Sequence, residues 1–418
     1  VGLRTPGRRA YGMEFFPDSV PGEPNRWLPV HTRTWQVEGT RAPVPFRVPM
    51  AWEAPRHLGT GGYATVAAFQ RSDREASLNF AVKKVENVFT HAVLALRTLR
   101  EVRLLAHFRH PNVLSMLGLF VDWVVDVPFQ DIYICLEFMD HDLAHRIHNG
   151  SVLLDNEVQR IIYQVLRGLL CLHTANVVHR DLKPSNVLVQ ANGDVKIADL
   201  GLGRSIHDGE DGPHEAALTE YVMTRYYRAP EVMITVKNYT RAVDVWSAGC
   251  ILGEMLTRQV LFRGQHPMVV IDRMITLLAP MPPEDLDWIP RRLPNGDPSR
   301  TFEHIEKGRQ AVADGEVAQR LWRVQGASPL ASDLLEEMLR FHPDRRIDVF
   351  PALTHQYLAA FDAAQDQHVA TARAVEPIDW SFDRDLCFDE AGRHRAFRAD
   401  AFREAILQTF PDDAAAGG

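Results

Sequence analysis

The segment VVHRDLKPSNVL, residues 177–188, places three side chains of complementary chemistry close together. Asp181 is a carboxylate that can accept a proton, Lys183 is a cation, and Asn186 carries an amide oxygen. In-line phosphoryl transfer uses all three types: a proton acceptor for the attacking hydroxyl, a positive charge against the developing phosphate charge, and an oxygen ligand for Mg²⁺. The spacing therefore predicts a phosphoryl-transfer site.

A second carboxylate, Asp199, follows directly after a predicted strand and lies 18 residues beyond Asp181. Carboxylate oxygens are ligands that Mg²⁺ prefers. The segments NVLVQ and VKIADL are joined by Asn192 and Gly193, a pair typical of a tight β-hairpin. Asp199 is therefore predicted to lie across this hairpin from the Asp181 segment, as a second candidate metal ligand.

Two further features lie upstream. The stretch LGTGGYATV contains Gly59 and Gly61, and glycines between two strands let backbone N–H groups approach phosphate oxygens. Such hairpins are common, so this signal is weak by itself. Lys83 lies in the strand-like segment AVKK, and Glu101 lies 18 residues later in a helical segment. A Lys83–Glu101 pair would direct the ammonium group toward the α- and β-phosphates of a nucleotide.

The elements that must position these residues fall into two groups. From about residue 56 to 138, three β-type segments flank one helical stretch, HAVLALRTLREVRLLAHF. Beyond residue 150 the pattern is mostly helical, with NEVQRIIYQVLRGLLCLH, DVWSAGCILGEML and ASDLLEEMLRFH as predicted core helices. Near the end, ADAFREAILQTF predicts a helix that packs on the body.

Composition narrows the class of protein. A net charge of −8 and a pI near 6.1 argue against a nucleic-acid-binding protein. The four cysteines are far apart, which fits a reducing compartment and neither a disulfide framework nor a cysteine zinc site. The sequence has no apolar run long enough for a transmembrane helix, and residues 1–20 lack a signal-peptide core.

His141, His145 and His148 are spaced so that one helix face would hold all three. They could form a metal site or simply be solvated histidines at a helix edge, and no nearby carboxylate or cysteine completes a familiar ligand set. The second interpretation is favoured.

Taken in order, GxGxxA, AVK, HRDLKPSN, DLG and RAPE resemble the signature set of the protein kinases. The resemblance covers about residues 57–358. Within that group, LTEYVMTRYYRAPE, DVWSAGCILGEML and DRRI resemble the mitogen-activated protein (MAP) kinases, with Thr-Glu-Tyr as the dual phosphorylation motif. TWQV and AVKK resemble the stress-activated branch, so the subfamily stays open.

The resemblance implies an α+β, two-lobed fold with a small β-rich N-lobe, one main helix and a larger, mostly helical C-lobe, with ATP between the lobes. The implied kinase domain spans 51–358, with an N-lobe at about 51–138, a C-lobe at about 142–358 and an insert at about 290–326. Residues 1–50 form a proline-rich extension, expected to be extended or partly disordered because nine of 26 prolines lie in residues 1–55. Residues 359–418 form a C-terminal extension that packs back on the kinase body.

The resemblance also assigns site residues. Asp181 is the implied catalytic base with Lys183 beside it, Lys83 and Glu101 form the implied lobe-bridging pair, and Thr224 contacts the base region. The implied ATP-binding residues are Leu58, Gly59, Gly61, Val66, Ala81, Lys83, Leu136, Glu137, Met139, Asp142, Asn186, Leu188 and Asp199. Of these, Asn186 and Asp199 are the implied Mg²⁺ ligands.

Thr219 and Tyr221 are the implied phosphorylation sites in ALTEYVMTRYYRAPEV. The resemblance implies that phosphothreonine is held by Arg100, Arg180 and Arg204, and phosphotyrosine by Arg225 and Arg228. Each phosphate adds about −1.5 to −2 charge and can form roughly one to three charge-assisted hydrogen bonds. The paired sets of arginines favour a phosphorylation switch over an ordinary surface loop rich in Tyr and Arg.

Several positions depart from the family pattern. Ala64 replaces the third loop glycine, and Leu200 gives DLG in place of DFG. The insert at 290–326 does not follow the usual family sequence. The acidic docking patch is reduced to Asp362 and Asp366, since Ala363, Gln367 and His368 stand where acids or proline are usual.

The implied function is an ATP- and Mg²⁺-dependent serine/threonine kinase that acts on Ser/Thr-Pro sites of protein substrates. The implied partners are an upstream dual-specificity MAP kinase kinase and phosphatases, with no nucleic acid and no membrane. The expected form is a monomer in the cytoplasm and nucleus. The alternatives are a pseudokinase scaffold that binds nucleotide and partners without significant turnover, and a kinase of small molecules.

Overall fold

A computed structural model describes most of the chain in two compact units. Unit 1 comprises Val1–Arg109, Leu114–Met139 and Asp379–Gly418, and unit 2 comprises His110–Val113 and Asp140–Ile378. The described residues are 10–14, 28–30, 32–38, 43–50, 52–71, 78–121, 128–205, 225–235, 240–278, 283–285, 287–289, 327–389 and 395–409.

The described strands and helices are numbered here in chain order. The strands are β1 (Ala10–Glu14), β2 (Leu28–Val30), β3 (Thr32–Val37), β4 (Val44–Pro49), β5 (Trp52–Thr60), β6 (Ala64–Arg71), β7 (Leu78–Val85), β8 (Met116–Val121), β9 (Ile132–Glu137), β10 (His141–Asp142), β11 (Val177–Val178), β12 (Val187–Val189), β13 (Val195–Ile197) and β14 (Arg204–Ser205). The helices are α1 (Ala92–His107), α2 (Leu143–Asn149), α3 (Asp155–Thr174), α4 (Pro230–Thr235), α5 (Ala242–Thr257), α6 (Pro267–Leu278), α7 (Pro329–Met338), α8 (Val349–Leu353), α9 (Gln367–Arg373), α10 (Ser381–Cys387) and α11 (Ala399–Leu407).

Unit 1 is built on a seven-stranded antiparallel sheet with the order β2-β1-β8-β9-β7-β6-β5. Successive side chains of a strand point to opposite faces, so register decides which residues share a face. Val66, Lys83 and Ile134 are register partners across β6, β7 and β9, and therefore share one face. Ala67, Val82 and Cys135 are partners on the opposite face, where all three are buried in the core.

The hairpin β3–β4 supplies part of that core. Phe46 and Val48 are fully buried beside Trp52, and the Phe46 ring packs against Phe69 with 5.8 Å between centroids. Within the predicted arm, Thr32–Val37 and Val44–Pro49 form extended strands that pair with each other, a pairing that the sequence did not predict. Proline composition was a poor guide here, because the apolar residues of β4 alternate inward and gain a buried face.

Helix α1 packs in unit 1 against the C-terminal helix α11, as the apolar spacing of that segment predicted. Phe402 and Ile406 of α11 are buried, and the Arg103 guanidinium of α1 donates to the Ala405 carbonyl at 2.9 Å. Arg403 of α11 donates to the Phe129 carbonyl at 2.9 Å. The C-terminal segment is therefore an integral part of unit 1.

Unit 2 is mostly helical around the buried helices α3 and α5, both at the predicted places. A small sheet, β10-β12-β13, lies in this unit, and Gly193 forms its predicted hairpin turn with φ +88°, a conformation that favours glycine. Together the two units confirm the predicted α+β fold, one β-rich with a main helix and the other mostly helical. No helix among the described residues is long and apolar enough to cross a membrane.

The short segment His110–Val113 belongs to unit 2 and is held there by a buried polar network. The Asn112 carbonyl accepts from the Ile197 N–H at 2.9 Å, and its side-chain amide donates to the Val195 carbonyl at 2.8 Å. Gly168 of α3 lets this segment approach closely, since a Cβ there would lie 2.6 Å from the Asn112 carbonyl oxygen. The segment therefore fixes β13, the strand that leads to Asp199.

His110 makes this network sensitive to pH. Its Nδ1 accepts from the Asn112 N–H at 3.1 Å, and its Nε2 lies 3.2 Å from the His368 carbonyl oxygen. Protonated Nδ1 would lose its role as acceptor, and burial lowers the pKa of His110 from 6.5 to about 4, against the raising effect of the His368 carbonyl. As pH falls below 6.5, the unfolded chain gains a proton that the folded chain refuses, so folding stability falls.

We predict that His110→Gln removes part of the stability loss between pH 6.5 and pH 4, up to about 3 kcal/mol at the acid end. Chemical unfolding of the wild type and the variant at several pH values measures the difference. His107→Gln is the control, because His107 is exposed. Parallel pH curves for the wild type and His110→Gln would contradict the prediction.

Candidate active site

A buried carboxylate of α5 holds the backbone that leads to Asp181. Asp244 Oδ2 accepts from the His179 N–H at 2.8 Å and Oδ1 from the Arg180 N–H at 2.9 Å, while His173 Nε2 lies 2.9 Å from Oδ2. Burial by itself would raise the pKa of Asp244, but the hydrogen bonds from His173 and the His179 N–H outweigh it and lower that pKa. Asp244 therefore stays ionised and keeps both oxygens as acceptors.

The His179 side chain joins the Asp181 segment to the Asp199 segment. Its Nδ1 accepts from the Asp181 N–H at 3.2 Å, so Nε2 carries the proton and donates to the Ala198 carbonyl at 2.9 Å. Arg180 and Asp199 both have left-handed backbone conformations, with φ of 70° and 62°. These conformations are unfavourable for residues other than glycine, and the surrounding hydrogen bonds hold them in place.

The three predicted residues of the HRDLKPSN segment lie together. Lys183 Nζ donates to Asp181 Oδ2 at 2.6 Å, and the Asn186 amide donates to the Asp181 carbonyl at 2.8 Å and to its Oδ2 at 3.2 Å. Asp181 is 9% exposed, so its carboxylate is largely shielded from solvent. The arrangement places a proton acceptor, a cation and an amide oxygen within one hydrogen-bonded cluster.

The predicted metal ligands are Asn186 and Asp199. Asn186 uses its amide nitrogen toward Asp181, and no described residue donates a hydrogen bond to its Oδ1. Asp199 is exposed and follows β13, and the Ala198 N–H donates to the Asn186 carbonyl at 2.9 Å. A carboxylate and a free amide oxygen fit Mg²⁺. Leu200, which replaces the usual phenylalanine, is fully buried.

Unit 1 carries the second set of predicted residues. Lys83 Nζ of β7 donates to Glu101 Oε1 of α1 at 2.6 Å, so the predicted pair is formed. Ala81, Val66 and Leu136 lie on the same sheet face as Lys83, because Ala81 pairs with Leu136 and Val66 with Lys83. One sheet face therefore presents an ammonium group together with apolar side chains.

The predicted glycines lie between β5 and β6, where the Gly61 N–H donates to the Ala64 carbonyl at 2.8 Å. A Cβ at Gly59 would meet nothing within 4 Å, and one at Gly61 would meet only the Ala64 oxygen at 3.7 Å. Neither packing nor backbone conformation of the described residues therefore requires glycine at these two positions. Leu58 beside them is exposed at 36%.

The other predicted nucleotide residues have defined places. Glu137 ends β9 and its Oε1 accepts from the Ser115 N–H at 2.6 Å, and Met139 is buried. In unit 2, Asp142 pairs with Leu188 between β10 and β12. The Asp142 carboxylate also accepts from the His145 N–H at 2.7 Å and caps α2.

The predicted phosphate-binding arginines are distributed over both units. In unit 1, Arg100 is 3% exposed and forms a bidentate ion pair with Asp383 of α10, with N–O distances of 2.7–3.0 Å. In unit 2, Arg204 is buried, and Arg225 lies at the start of a short 3-10 helix. Thr219, Tyr221 and Thr224, like the insert at 290–326, lie outside the described residues.

The segment after Thr224 is anchored at several points. The Tyr227 hydroxyl donates to Glu254 at 2.6 Å, and Ser247 donates to the Tyr227 carbonyl at 2.8 Å. Next along the chain, Glu231 forms a buried bidentate ion pair with Arg346 at 2.7 and 3.0 Å. Helix α5 and the Arg346 segment therefore fix the backbone of residues 225–231.

The histidine cluster does not form a metal site in the described part of the chain. His141 lies in β10 and stacks on His145, whereas His148 Nε2 lies 2.8 Å from Glu254 Oε1. His141 and His145 therefore contact each other, whereas His148 contacts Glu254.

The predicted docking patch is partly used within unit 2. Asp366 accepts from the Tyr163 hydroxyl at 2.8 Å and from Arg167 at 2.9 Å. These contacts tie the Asp366 carboxylate to helix α3.

Sequence reasoning missed the residues that position the candidate site, among them His179, Asp244 and Glu254. The last two are acidic residues in DVWSAGCILGEML, a segment whose other residues are mostly apolar. A charge within an otherwise apolar helix is unusual and signals a buried polar contact, so this pattern was the available clue.

Comparison with known proteins agrees with the fold. A family model described as "Protein kinase domain" matches residues 52–358. Mitogen-activated protein kinase spk1 of Schizosaccharomyces pombe is 39% identical over 334 residues, which cover 80% of this chain and 85% of that protein. Mitogen-activated protein kinase HOG1 of Blumeria graminis is 40% identical over 85% of this chain and 90% of its own length. Mitogen-activated protein kinase 6 of Arabidopsis thaliana is 35% identical over 82% and 80%.

The fold and these matches define a protein kinase. More specifically, the chain belongs to the mitogen-activated protein kinase family and is a protein serine/threonine kinase. Protein kinases use ATP with Mg²⁺. MAP kinases act on protein substrates and are controlled by upstream kinases.

We predict that Asp199→Asn lowers turnover by at least two orders of magnitude, because the neutral amide loses most of the charge that would hold Mg²⁺. Asp199 is exposed, so thermal unfolding should change little. Steady-state phosphorylation of a generic protein substrate measures the effect. Asp194→Asn is the control, since Asp194 is an exposed residue in the same hairpin. Near-normal turnover of Asp199→Asn would refute the assignment.

Proposed function

We propose that this chain transfers the γ-phosphoryl group of ATP to Ser or Thr residues that precede proline. We further propose that it is activated by phosphorylation of Thr219 and Tyr221 in a signalling cascade. The observation that carries the proposal is the cluster in which Asp181 lies within hydrogen-bond distance of both Lys183 and Asn186. This cluster holds the three types of group that phosphoryl transfer to a hydroxyl requires.

In this proposal Asp181 accepts the proton of the substrate hydroxyl, and Lys183 compensates the negative charge that develops on the phosphoryl oxygens. Asn186 and Asp199 would hold Mg²⁺, which would neutralise phosphate charge when bound. Lys83 would contact the α- and β-phosphates, with its ammonium group oriented by Glu101 at 2.6 Å. A pseudokinase scaffold is disfavoured, because Lys83, Asp181 and Asp199 are all present.

The other residues predicted to contact ATP fit this proposal. Gly59 and Gly61 leave space that the described residues do not fill, which suits close approach of phosphate oxygens to the backbone. Leu58, Val66, Ala81 and Leu136 would pack around the adenine ring. The backbone near Glu137 and Met139 would bind its edge. Asp142 and Leu188 would contact the ribose side of the nucleotide.

Substrate choice is proposed to depend on VMTRYYR, residues 222–228, which resembles the family's pocket for the residue after the phosphoacceptor, and on the overlapping peptide-groove segment TRYYRAPE, residues 224–231. A pocket that offers no acceptor leaves a backbone N–H of the substrate unpaired, and proline has no N–H to lose. The contacts of Tyr227 and Glu231 hold residues 225–231 in place, which suits a selective pocket. Thr224 would link this segment to the catalytic base.

We predict that a peptide with proline directly after the phosphoacceptor serine has a kcat/KM roughly five- to 150-fold above that of the same peptide with alanine there. An unpaired buried N–H costs about 1–3 kcal/mol, which corresponds to this range. Initial rates with the two peptides measure the ratio. Equal rates would overturn the proposed specificity while leaving the kinase activity in place.

The proposed switch uses two groups of arginines. Arg100, Arg180 and Arg204 would hold phospho-Thr219, and Arg225 with Arg228 would hold phospho-Tyr221. Arg100 is already paired with Asp383, so the phosphothreonine would have to compete with this carboxylate or share the guanidinium. Phosphate has more charge than a carboxylate and forms strong bidentate contacts with arginine, which favours the exchange.

We predict that either phosphate alone gives little activity, and that both together raise kcat/KM by several orders of magnitude. One exposed ion pair is worth only about 0–1 kcal/mol, so such a gain needs a loop with two stable arrangements biased by both groups. The four forms (unphosphorylated, singly phosphorylated at Thr219 or Tyr221, and doubly phosphorylated) are compared on one Ser-Pro peptide. Full activity without phosphate would show that the loop is not a switch.

The partners proposed for this function are protein substrates with Ser/Thr-Pro sites, an upstream dual-specificity MAP kinase kinase and phosphatases that reverse the activation. We propose that the protein acts as a monomer in the cytoplasm and nucleus. The occupied carboxylate of Asp366 argues that recruitment depends on other surfaces than the reduced acidic patch.

A further inference from the structure

Two linked hydrogen bonds run within unit 2 from the surface to residues 225–231, the described part of the segment proposed to bind the peptide. His148 lies in α2 and its side chain is 43% exposed. Its Nε2 lies 2.8 Å from Glu254 Oε1 of α5, and Glu254 Oε2 accepts from the Tyr227 hydroxyl at 2.6 Å. Tyr227 belongs to the segment that is proposed to bind the peptide. One carboxylate therefore connects a solvent-accessible imidazole to that segment.

The Glu254 carboxylate depends on His148 for charge compensation. Its side chain is 1% exposed, and among the described residues His148 is its only ion-pair partner within 4 Å. A buried carboxylate that lacks a cation is costly, because little solvent reaches it. Whether His148 is charged therefore decides how well Glu254 is stabilised.

The groups packed around these hydrogen bonds have contacts of their own. Arg258, the residue that follows α5, donates from its guanidinium to the His148 and Gly150 carbonyls at 3.1 Å. Burial raises the pKa of the Tyr227 hydroxyl, and the nearby Glu254 carboxylate raises it further. Tyr227 therefore remains a donor, and histidine is the side-chain type whose charge ordinarily changes between pH 5 and 8.

Neighbours on the helix of His148 have partners elsewhere. Arg146 pairs with Glu157 at 2.9 Å, and His145 stacks on His141. Cys250 lies near Glu254, and burial raises the pKa of its thiol well above the ordinary value, so it stays neutral. None of these groups supplies a second cation to the Glu254 carboxylate.

We propose that His148 is a positioning residue for peptide substrates, and that its protonated form strengthens the hold of Glu254 on Tyr227. When His148 is neutral, the buried Glu254 carboxylate has no cation beside it and is stabilised only by its remaining contacts, which include the Tyr227 hydrogen bond. The peptide-binding segment then loses order, and peptide engagement weakens. This inference rests on the proposed role of residues 224–231, and it adds a proton-dependent control of that role.

The test measures kcat/KM for a Ser-Pro peptide with the active full-length chain from pH 6.0 to 8.5, as the ratio of variant to wild type. Ratios cancel the titration of the base and the substrates. His148→Arg carries a permanent cation, so its ratio should be about one at pH 6 and rise to roughly threefold at pH 8.5. His148→Gln carries no charge, so its ratio should be about one third at pH 6 and approach one at pH 8.5.

Matched substitutions at His145 are the controls, since His145 lies on the same helix without contact to Glu254. His145→Arg and His145→Gln should give pH-independent ratios, and the KM for ATP should stay constant in every variant. Glu254→Gln should also flatten the pH dependence; if that buried variant fails to fold, the partly exposed His148 variants still decide. A constant His148→Arg ratio across pH, or equal changes in the KM values of ATP and peptide, would overturn the inference.

The same series run with a Ser-Ala peptide separates this inference from the proposed specificity. Equal rates on the two peptides at pH 7 would reject proline selection. The pH dependence of the His148→Arg ratio is judged on each peptide by itself. The peptide comparison therefore tests proline selection, and the pH dependence of the His148→Arg ratio tests the role of His148, so that either can fail without the other.

Discussion

The backbone that positions Asp181 in unit 2 depends on one buried carboxylate, that of Asp244. Asp244 is fully buried and receives hydrogen bonds from the His179 and Arg180 backbones and from the His173 ring. These contacts fix two N–H groups immediately before Asp181 and hold Arg180 in a left-handed conformation that it would otherwise avoid. A buried donor that loses its acceptor costs about 1–3 kcal/mol, so three donors on one side chain make the arrangement strongly cooperative.

The consequences of this contact extend along the chain through His179. That ring joins the Asp181 N–H to the Ala198 carbonyl, and Ala198 in turn donates to the Asn186 carbonyl. The proposed base and the proposed metal ligands are therefore parts of one hydrogen-bonded unit. In unit 1, charged partners also position candidate site residues, because the adjacent α1 residues Arg100 and Glu101 each form an ion pair.

Short-range patterns in the sequence predicted the local features of the fold and of the candidate site. The Asn192-Gly193 turn, the core helices and the clustering of Asp181, Lys183 and Asn186 all follow from short-range spacing. The contacts that position these residues join distant parts of the chain, such as Asp244 with Arg180 or Asp383 with Arg100. No periodicity encodes such pairs. The β3–β4 hairpin was missed because proline content hid the inward alternation of its apolar residues.

The role of Asp244 is tested by comparing the turnover of Asp244→Asn with that of Asp285→Asn, a change at another buried carboxylate of unit 2. Both are assayed on one peptide at saturating ATP, with the folded fraction measured by thermal unfolding. The neutral amide of Asp244→Asn offers one acceptor oxygen to three donors, so kcat per folded molecule should fall at least about a hundredfold. Asp285→Asn should stay within about twofold of the wild type. A folded Asp244→Asn protein with normal kcat would contradict the claim that this carboxylate positions the catalytic residues.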